Sequence, residues 1–383
     1  MLPVMVLKES ALRYNVELMA ALCNRSGISL APHGKTSMAP QLLQRQLDAG
    51  AWAVTAATMH QVRVWRTFGA ERVLLANELV EAASAVWVAT ELERDPSFNF
   101  FCLVDSVACV ELLENAIDSV RMTRRLDVLV ELGVKGGRTG CRTRTQAREV
   151  ALAVAASKHL SLAGVEAFEG VVNTGGLAAD LEEVDRVLKD LRALVLDLDS
   201  AGLFSRAGEV LVTAGGSAFL DRVVAELAGP WSVSRPVRLV LRSGCYLTHD
   251  AAHYKQVSPF GTRLNQTDPL QEALEIWGVV LSLPEPGLAI IGFGKRDAPH
   301  DLELPIPRLS KKTVEAPRAL SGAAIVALND QHAFMKIDAV GRLAVGDLIG
   351  CGISHPCTAF DKWRLIPVVD DVYRVVDAVL TFF

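Results

Sequence analysis

The 383-residue sequence is defined first by what it does without. No uninterrupted apolar run approaches the ~20 residues that a membrane span requires, so no membrane association is expected. The N-terminus has neither the basic region nor the cleavage site of a secretory signal, which makes the cytoplasm the default location. There is no cationic field: the net charge is −5, the isoelectric point is near 6.0, and the arginines are scattered, which argues against a nucleic-acid partner. The seven cysteines (23, 102, 109, 141, 245, 351, 357) include no Cys-x-x-Cys pair, and their odd number excludes a simple disulfide framework. Most of them read as small buried hydrophobes. Internal repeats, low-complexity tracts and extended linkers are also missing. What is plentiful is apolar material: 50% hydrophobic residues and a mean hydropathy of +0.27 imply a sizeable core, enough for one large domain and a smaller one.

The chain opens with a short strand at 2–7 and a helix whose apolar positions Leu12, Val16, Met19 and Leu22 recur at three- and four-residue steps. Short apolar runs then follow at 28–31, 53–55, 73–75, 100–104, 127–132, 162–168, 210–213 and 237–241, separated by stretches of helical character such as 38–49 and 182–198. Eight such units predict an α/β protein built on a (β/α)8 TIM-like barrel, with an open doubly wound sheet as the competing arrangement. Beyond about residue 262 the character changes. Prolines, among them those at 284, 286, 299, 305, 307 and 317, punctuate the chain, and short β-type runs such as 277–283 and 323–328 replace the long helices. A second, mostly β C-terminal domain is expected there, giving a barrel over 8–262 and a β domain over 263–383.

Ala31-Pro-His-Gly-Lys-Thr-Ser-Met-Ala-Pro40 places a lone lysine after the first barrel strand, where such folds present their ligands. Gly34-Lys35-Thr36 imitates the end of a Walker loop, but that motif needs glycine five positions before Gly34, where Ser29 stands. A Schiff-base lysine and a solvated surface lysine remain. Leu211-Val-Thr-Ala-Gly-Gly-Ser217 and Leu241-Arg-Ser-Gly-Cys-Tyr246 end the seventh and eighth strands, the usual phosphate site of this barrel. Alone, Gly215-Gly216 reads as a turn, but Lys35 on the first strand shifts the reading toward a phosphate cradle. Glu131-Leu-Gly-Val-Lys-Gly-Gly-Arg-Thr-Gly140 ends the fifth strand, where Arg138 is either solvated or a ligand contact. His355-Pro-Cys357 sets an imidazole and a thiolate two positions apart; soft sulfur with borderline nitrogen suits zinc better than magnesium or calcium. Asn329-Asp-Gln-His332 reads either as a turn or as a site-lining run.

Pro32-His33-Gly34-Lys35-Thr36 resembles the Pro-His-x-Lys-Thr signature of the D-serine dehydratase/D-threonine aldolase family, which has the alanine-racemase-like fold type III of pyridoxal phosphate (PLP) enzymes. Ala31 stands where the family usually has arginine, and Ser37-Met38 replace its His-Lys continuation. The resemblance extends to the strand-seven and strand-eight segments, to the glycine-rich loop of Arg138, to Phe168 where relatives have tyrosine, and to Val345-Gly-Asp-Leu348 with His355-x-Cys357. It implies Lys35 as the lysine that carries PLP covalently. It also implies Arg138 and Phe168 beside the cofactor ring, a phosphate site of Thr213, Gly215, Gly216, Ser217, Gly244, Cys245 and Tyr246, and a catalytic divalent metal, zinc ahead of manganese, on His355 and Cys357. In that fold type the first strand joins the β domain, so residues 1–7 are expected there. Members commonly carry an N-terminal extension, so the start is expected to be short. The implied reaction is a D-serine dehydratase (deaminase) converting a small D-amino-acid substrate to pyruvate and ammonia, in a homodimer. The alternatives are a D-threonine or D-3-hydroxyaspartate aldolase or dehydratase, an amino-acid racemase, and a non-catalytic PLP-binding protein.

Overall fold

The computed structural model describes residues 1–264, 269–312, 315–338 and 343–383. The chain begins with β1 (Val4–Lys8), α1 (Glu9–Ser26), β2 (Ser29–Leu30), α2 (Pro40–Asp48), β3 (Val54–Ala56) and α3 (Met59–Thr67). Strands and helices then alternate through β4 (Arg72–Glu78), α4 (Ala82–Arg94), β5 (Asn99–Val104), α5 (Val107–Ile117), β6 (Leu126–Glu131), α6 (Arg144–Ala156), β7 (Leu160–Glu166), α7 (Leu177–Ser200), β8 (Val210–Ala214), α8 (Leu220–Leu227) and β9 (Val237–Leu241). Each of the eight apolar runs of the barrel region lies on one of the strands β2 to β9. The chain divides into two compact units, one of residues 20–35 and 46–244, the other of 1–19, 36–45 and 245–383.

In the first unit β2 to β9 form one parallel sheet in the order β2-β9-β8-β7-β6-β5-β4-β3. Its two ends meet: His33 pairs in parallel with Thr55, and Thr55 N–H and Trp52 N–H donate to Pro32 O at 2.9 Å and Leu30 O at 2.7 Å. The ring is therefore closed, the barrel the alternation predicted. Alternate side chains of adjacent strands, Leu74, Phe101, Leu103, Leu129, Ala163 and Leu211, pack into one buried cluster with Trp52 against it. Each of the leucines and Phe101 contributes about 1.5–3 kcal/mol on burial. Helix starts are fixed locally. Thr58, Ser106 and Thr143 accept from the amides of Gln61, Cys109 and Gln146, satisfying donors the first turn leaves open. Gln61 and Gln146 reach back to the amides of Ala57 and Arg142, so each capping pair sets where its βα loop ends.

The second unit is a ten-stranded sheet. It takes in β1 and the later strands β10 (Leu274–Glu285), β11 (Leu288–Ile291), β12 (Ile306–Lys311), β13 (Arg318–Ala319), β14 (Ala323–Leu328), β15 (Ala333–Ile337), β16 (Leu348–Gly352), β17 (Leu365–Val369) and β18 (Val375–Leu380). β1 runs antiparallel to β10, with Met5 opposite Ile276, and parallel to β17, with Leu7 opposite Val368. The first strand is thus built into the β sheet. Leu12 and Met19 of α1 are fully buried, and Val16 and Leu22 nearly so, as their spacing requires. No described helix is long and apolar enough to cross a membrane.

Candidate active site

Two constellations of functional side chains stand out, one in each compact unit. In the barrel, Lys35 lies in a single 3-10 turn, Gly34–Thr36, directly after β2. Its amine has no hydrogen-bond or ion-pair partner among the described residues, so nothing holds it back from a ligand. Next to it the His33 imidazole has its Nδ1 buried and unpartnered. Burial first, and then the cations of Lys35, Arg242 and Arg138, hold its basicity well below the ordinary range. His33 is neutral in a positively charged surrounding. Gly244 is required beside it, since a Cβ there would sit 2.6 Å from His33 O.

Arg138 and Phe168, in the loops after β6 and β7, meet each other. The Arg138 guanidinium stacks over the Phe168 ring at 4.5 Å, a cation–π pair. The loop that carries Arg138 is folded around Arg142, which donates to Thr139 O at 2.7 Å and Gly140 O at 2.8 Å. Thr213 is different. Its hydroxyl donates to Val240 O at 2.9 Å and accepts from Arg242 at 3.0 Å, so it ties strands together inside the barrel.

Gly215 and Gly216 hold a further surprise: their amides already grip an oxyanion. Gly215 N–H and Gly216 N–H donate to the two carboxylate oxygens of Glu169, at 3.0 Å and 2.7 Å. The positive φ of Gly215, 107°, turns the chain so that both amides face the same way. Burial raises the Glu169 carboxyl and these amides oppose it. The two amides of the turn point at one acceptor, and that acceptor is a side chain. Ser217, the next residue, is partly exposed and bonds to no described residue.

Beneath these loops Arg242 and Glu166 form an ion pair with side chains only 4% and 2% exposed. Arg242 also donates to Ala167 O at 3.2 Å. Burial pushes the Glu166 carboxyl up to about 8, with Arg242 acting against it. Arg242→Met is expected to cost about 3–5 kcal/mol where Glu166 is ionised, because an unpaired buried carboxylate remains. In the variant Arg242 no longer opposes burial, so Glu166 titrates above its wild-type value of about 8. Below that value both folded chains hold the proton, so the deficit relative to wild type should be constant at lower pH and grow as pH rises above 8. Urea titrations at about pH 7 and about pH 9 measure this, and a deficit that does not grow above pH 8 would refute the ion-pair account.

Sequence reasoning passed over one cluster in the barrel. Oxygens of Glu78, Asp105 and Glu131, at or just beyond the ends of β4, β5 and β6, lie within 4.8 Å of one another. Burial first, and then the Glu131 carboxyl, push the Glu78 carboxyl up to about 9. The available signal was an acid closing each of three consecutive apolar strands.

The second constellation surrounds His355 and Cys357. His355 takes up a left-handed conformation, φ 51° and ψ 77°, unusual for a side-chain-bearing residue. Its amide donates to Asp250 Oδ2 at 3.1 Å, and buried Asp250 also accepts from the amides of Ala252, Tyr254 and Lys255. The strained turn is thus pinned from beneath. His355 Nδ1 pairs with Asp301 Oδ2 at 2.5 Å, and Thr358 Oγ1 donates to Asp301 Oδ1 at 2.8 Å. A hydrogen bond to Cys357, and then Asp301, push the imidazole up to about 9. The Cys357 thiol is lowered by hydrogen bonds from Cys245, then His355 and Thr36, against the effect of burial. Its sulfur lies 3.4 Å from Cys245 Sγ and 3.3 Å from Thr36 Oγ1. Tyr246, beside Cys245, is almost fully buried. His332 stands apart, exposed in the turn between β14 and β15, where Asn329 N–H donates to its carbonyl at 2.8 Å.

Residues 273–369 match the family model described as a putative serine dehydratase domain, a segment that contains His355 and Cys357. The chain is 25% identical over 311 residues to a 3-hydroxy-D-aspartate aldolase of Paracoccus denitrificans (strain Pd 1222), covering 79% of this chain and 74% of that protein. Among solved structures it resembles D-threonine aldolase from Filomicrobium marinum, with a TM-score of 0.81 at 22% identity, over 100% of this chain and 95% of that one. It also resembles D-threo-3-hydroxyaspartate dehydratase from Delftia sp. HT23, with a TM-score of 0.74 at 18% identity, over 100% and 97%. Alanine racemases share the fold at lower identity. By fold, the chain is an alanine-racemase-like (β/α)8 barrel with a β domain. Within that fold the comparisons support the family its motifs resemble, that of the D-serine dehydratases and D-threonine aldolases.

Proposed function

We propose that this chain is a PLP- and divalent-metal-dependent lyase of β-hydroxy D-amino acids, and that its reaction is the dehydration of D-serine to pyruvate and ammonia. The observation that carries the reading is the uncommitted amine of Lys35 among the cations around neutral His33. The serine dehydratase match over the segment of His355 and Cys357 supports dehydration.

The residues present fit both groups. Lys35 would hold the cofactor, with Arg138 and Phe168 along its ring. Because Glu169 occupies the Gly215 and Gly216 amides, the phosphate would rely on Ser217 and Gly244. For the metal, the donor set is an imidazole whose Nδ1 is engaged by Asp301, leaving Nε2, together with the Cys357 thiolate. That set suits zinc, with manganese as the alternative. When bound, the cofactor supplies an electron sink for the bond broken at Cα and the metal a Lewis acid for the β-hydroxyl. Lys35, as a free amine, takes the proton from Cα. The cationic surroundings attract the substrate carboxylate. Asp301 keeps the His355 ring turned toward its ligand.

A second reading, cleavage to glycine and an aldehyde, is favoured by the aldolases among the relatives. The two are separated by offering D-serine, L-serine, D-threonine and D-3-hydroxyaspartate and measuring keto acid, ammonia, glycine and aldehyde. Keto acid and ammonia from D-serine are expected, with L-serine inert because Lys35, fixed at a strand end, reaches one face of the substrate. Glycine with acetaldehyde from D-threonine would move the assignment to the aldolase, and interconversion of D- and L-serine without ammonia to a racemase.

A further inference from the structure

Cysteines Cys23, Cys102, Cys109, Cys141 and Cys351 are buried, whereas Cys245 and Cys357 are both partly exposed. These two lie 112 residues apart in sequence, yet their sulfurs are 3.4 Å apart. Both sit in single 3-10 turns, Cys245–Leu247 and Pro356–Thr358. Thr36 Oγ1 lies against the pair, 3.3 Å from Cys357 Sγ and 3.9 Å from Cys245 Sγ. A disulfide has sulfurs about 2.0 Å apart, so small rotations of two side chains on short turns would close the gap. Sequence spacing gave no hint of this, since the cysteines follow no framework pattern.

We propose that Cys245 and Cys357 form a reversible oxidative switch, closed by a hydroperoxide. The Cys357 sulfur attacks the peroxide and the O–O bond breaks, leaving a sulfenic acid and releasing water or an alcohol. The Cys245 sulfur then attacks the Cys357 sulfur; the S–O bond breaks, and the hydroxide leaves as water with the Cys245 proton. Two thiols lose two electrons and the peroxide gains them. Cys245 acts as the resolving thiol that stops Cys357 short of irreversible oxidation. A sulfur held in this bond is no longer a thiolate ligand, so closing the switch ejects the metal. That consequence rests on His355 and Cys357 being the metal pair; the cross-link does not.

The test treats the full chain, with its cofactor and zinc, with hydrogen peroxide, blocks remaining thiols and maps the peptides. The expected result is one cross-link joining the Cys245 and Cys357 peptides, loss of two free thiols and release of zinc, all reversed by dithiothreitol. Cys245→Ser should give no cross-link, Cys357 oxidised to sulfinic or sulfonic acid, and zinc loss that dithiothreitol does not restore. If Cys245→Ser fails to fold, the wild-type peptide map decides alone. Wild-type Cys357 oxidised beyond sulfenic acid without a cross-link would overturn the switch, as would reversible zinc loss in Cys245→Ser. A cross-link formed in zinc-loaded protein without release of zinc would sustain the switch and remove His355 and Cys357 as the metal pair.

Discussion

Lys35→Ala is expected to remove the visible absorption of a lysine-bound cofactor and to reduce turnover by at least about a thousandfold. One side chain performs two tasks in the proposed reaction, covalent attachment and proton abstraction, and a positioned general base alone accounts for about 10²–10⁴ in rate. Stability should change little, within about 0.5 kcal/mol, because the amine holds no partner whose loss would leave a buried group unsatisfied. The combination is diagnostic: a folded, colourless protein that stays colourless when PLP is added. A variant with an unchanged spectrum would refute the cofactor assignment. Binding of ATP by the wild type would instead restore the phosphate-loop reading that Ser29 argues against.

The barrel was legible because its signal is local. Each strand announces itself by a run of a few apolar residues, and a parallel sheet buried on both faces has no other pattern to write. Lys35 could be singled out for the same reason, as the polar residue just beyond the first such run. What surrounds the functional groups was not legible, because those partners arrive through tertiary contact. Asp301, which orients His355, stands 54 residues earlier in an acidic stretch without a motif. Asp250 pins the strained His355 turn from 105 residues away. Thr213 and the Gly215-Gly216 amides were chosen for their position at a strand end, and that position is right. Their hydrogen-bonding capacity, however, is spent on Arg242 and Glu169, residues no spacing rule connects to them. A sequence shows which atoms could meet a ligand, but the competing partners for those atoms are set by the fold.

The same reasoning gives the metal site its sharpest test. His355→Ala and Cys357→Ala should each lower bound zinc from about one per chain to near zero and abolish turnover, while the cofactor absorption persists, since neither side chain is asked to hold PLP. Asp301→Asn should be milder, weakening zinc binding by about 10- to 100-fold, the usual effect of removing the partner that orients a metal-bound imidazole. Proton competition supplies a further check. With His355 pushed up to about 9 by Cys357 and then Asp301, the metal-free chain carries a protonated imidazole at neutral pH. Cys357 is shifted the other way and is already a thiolate there. Zinc must therefore displace one proton, so affinity should rise about tenfold per pH unit between 6 and 8 and level off near 9. Asp301→Asn removes one of the interactions that hold the proton, so the levelling should move to lower pH even though the affinity is weaker. Equilibrium dialysis against a zinc buffer across this range measures both effects. A flat profile between pH 6 and 8 in the wild type would mean that His355 is not the group zinc displaces a proton from, and the ligand assignment would fall with it.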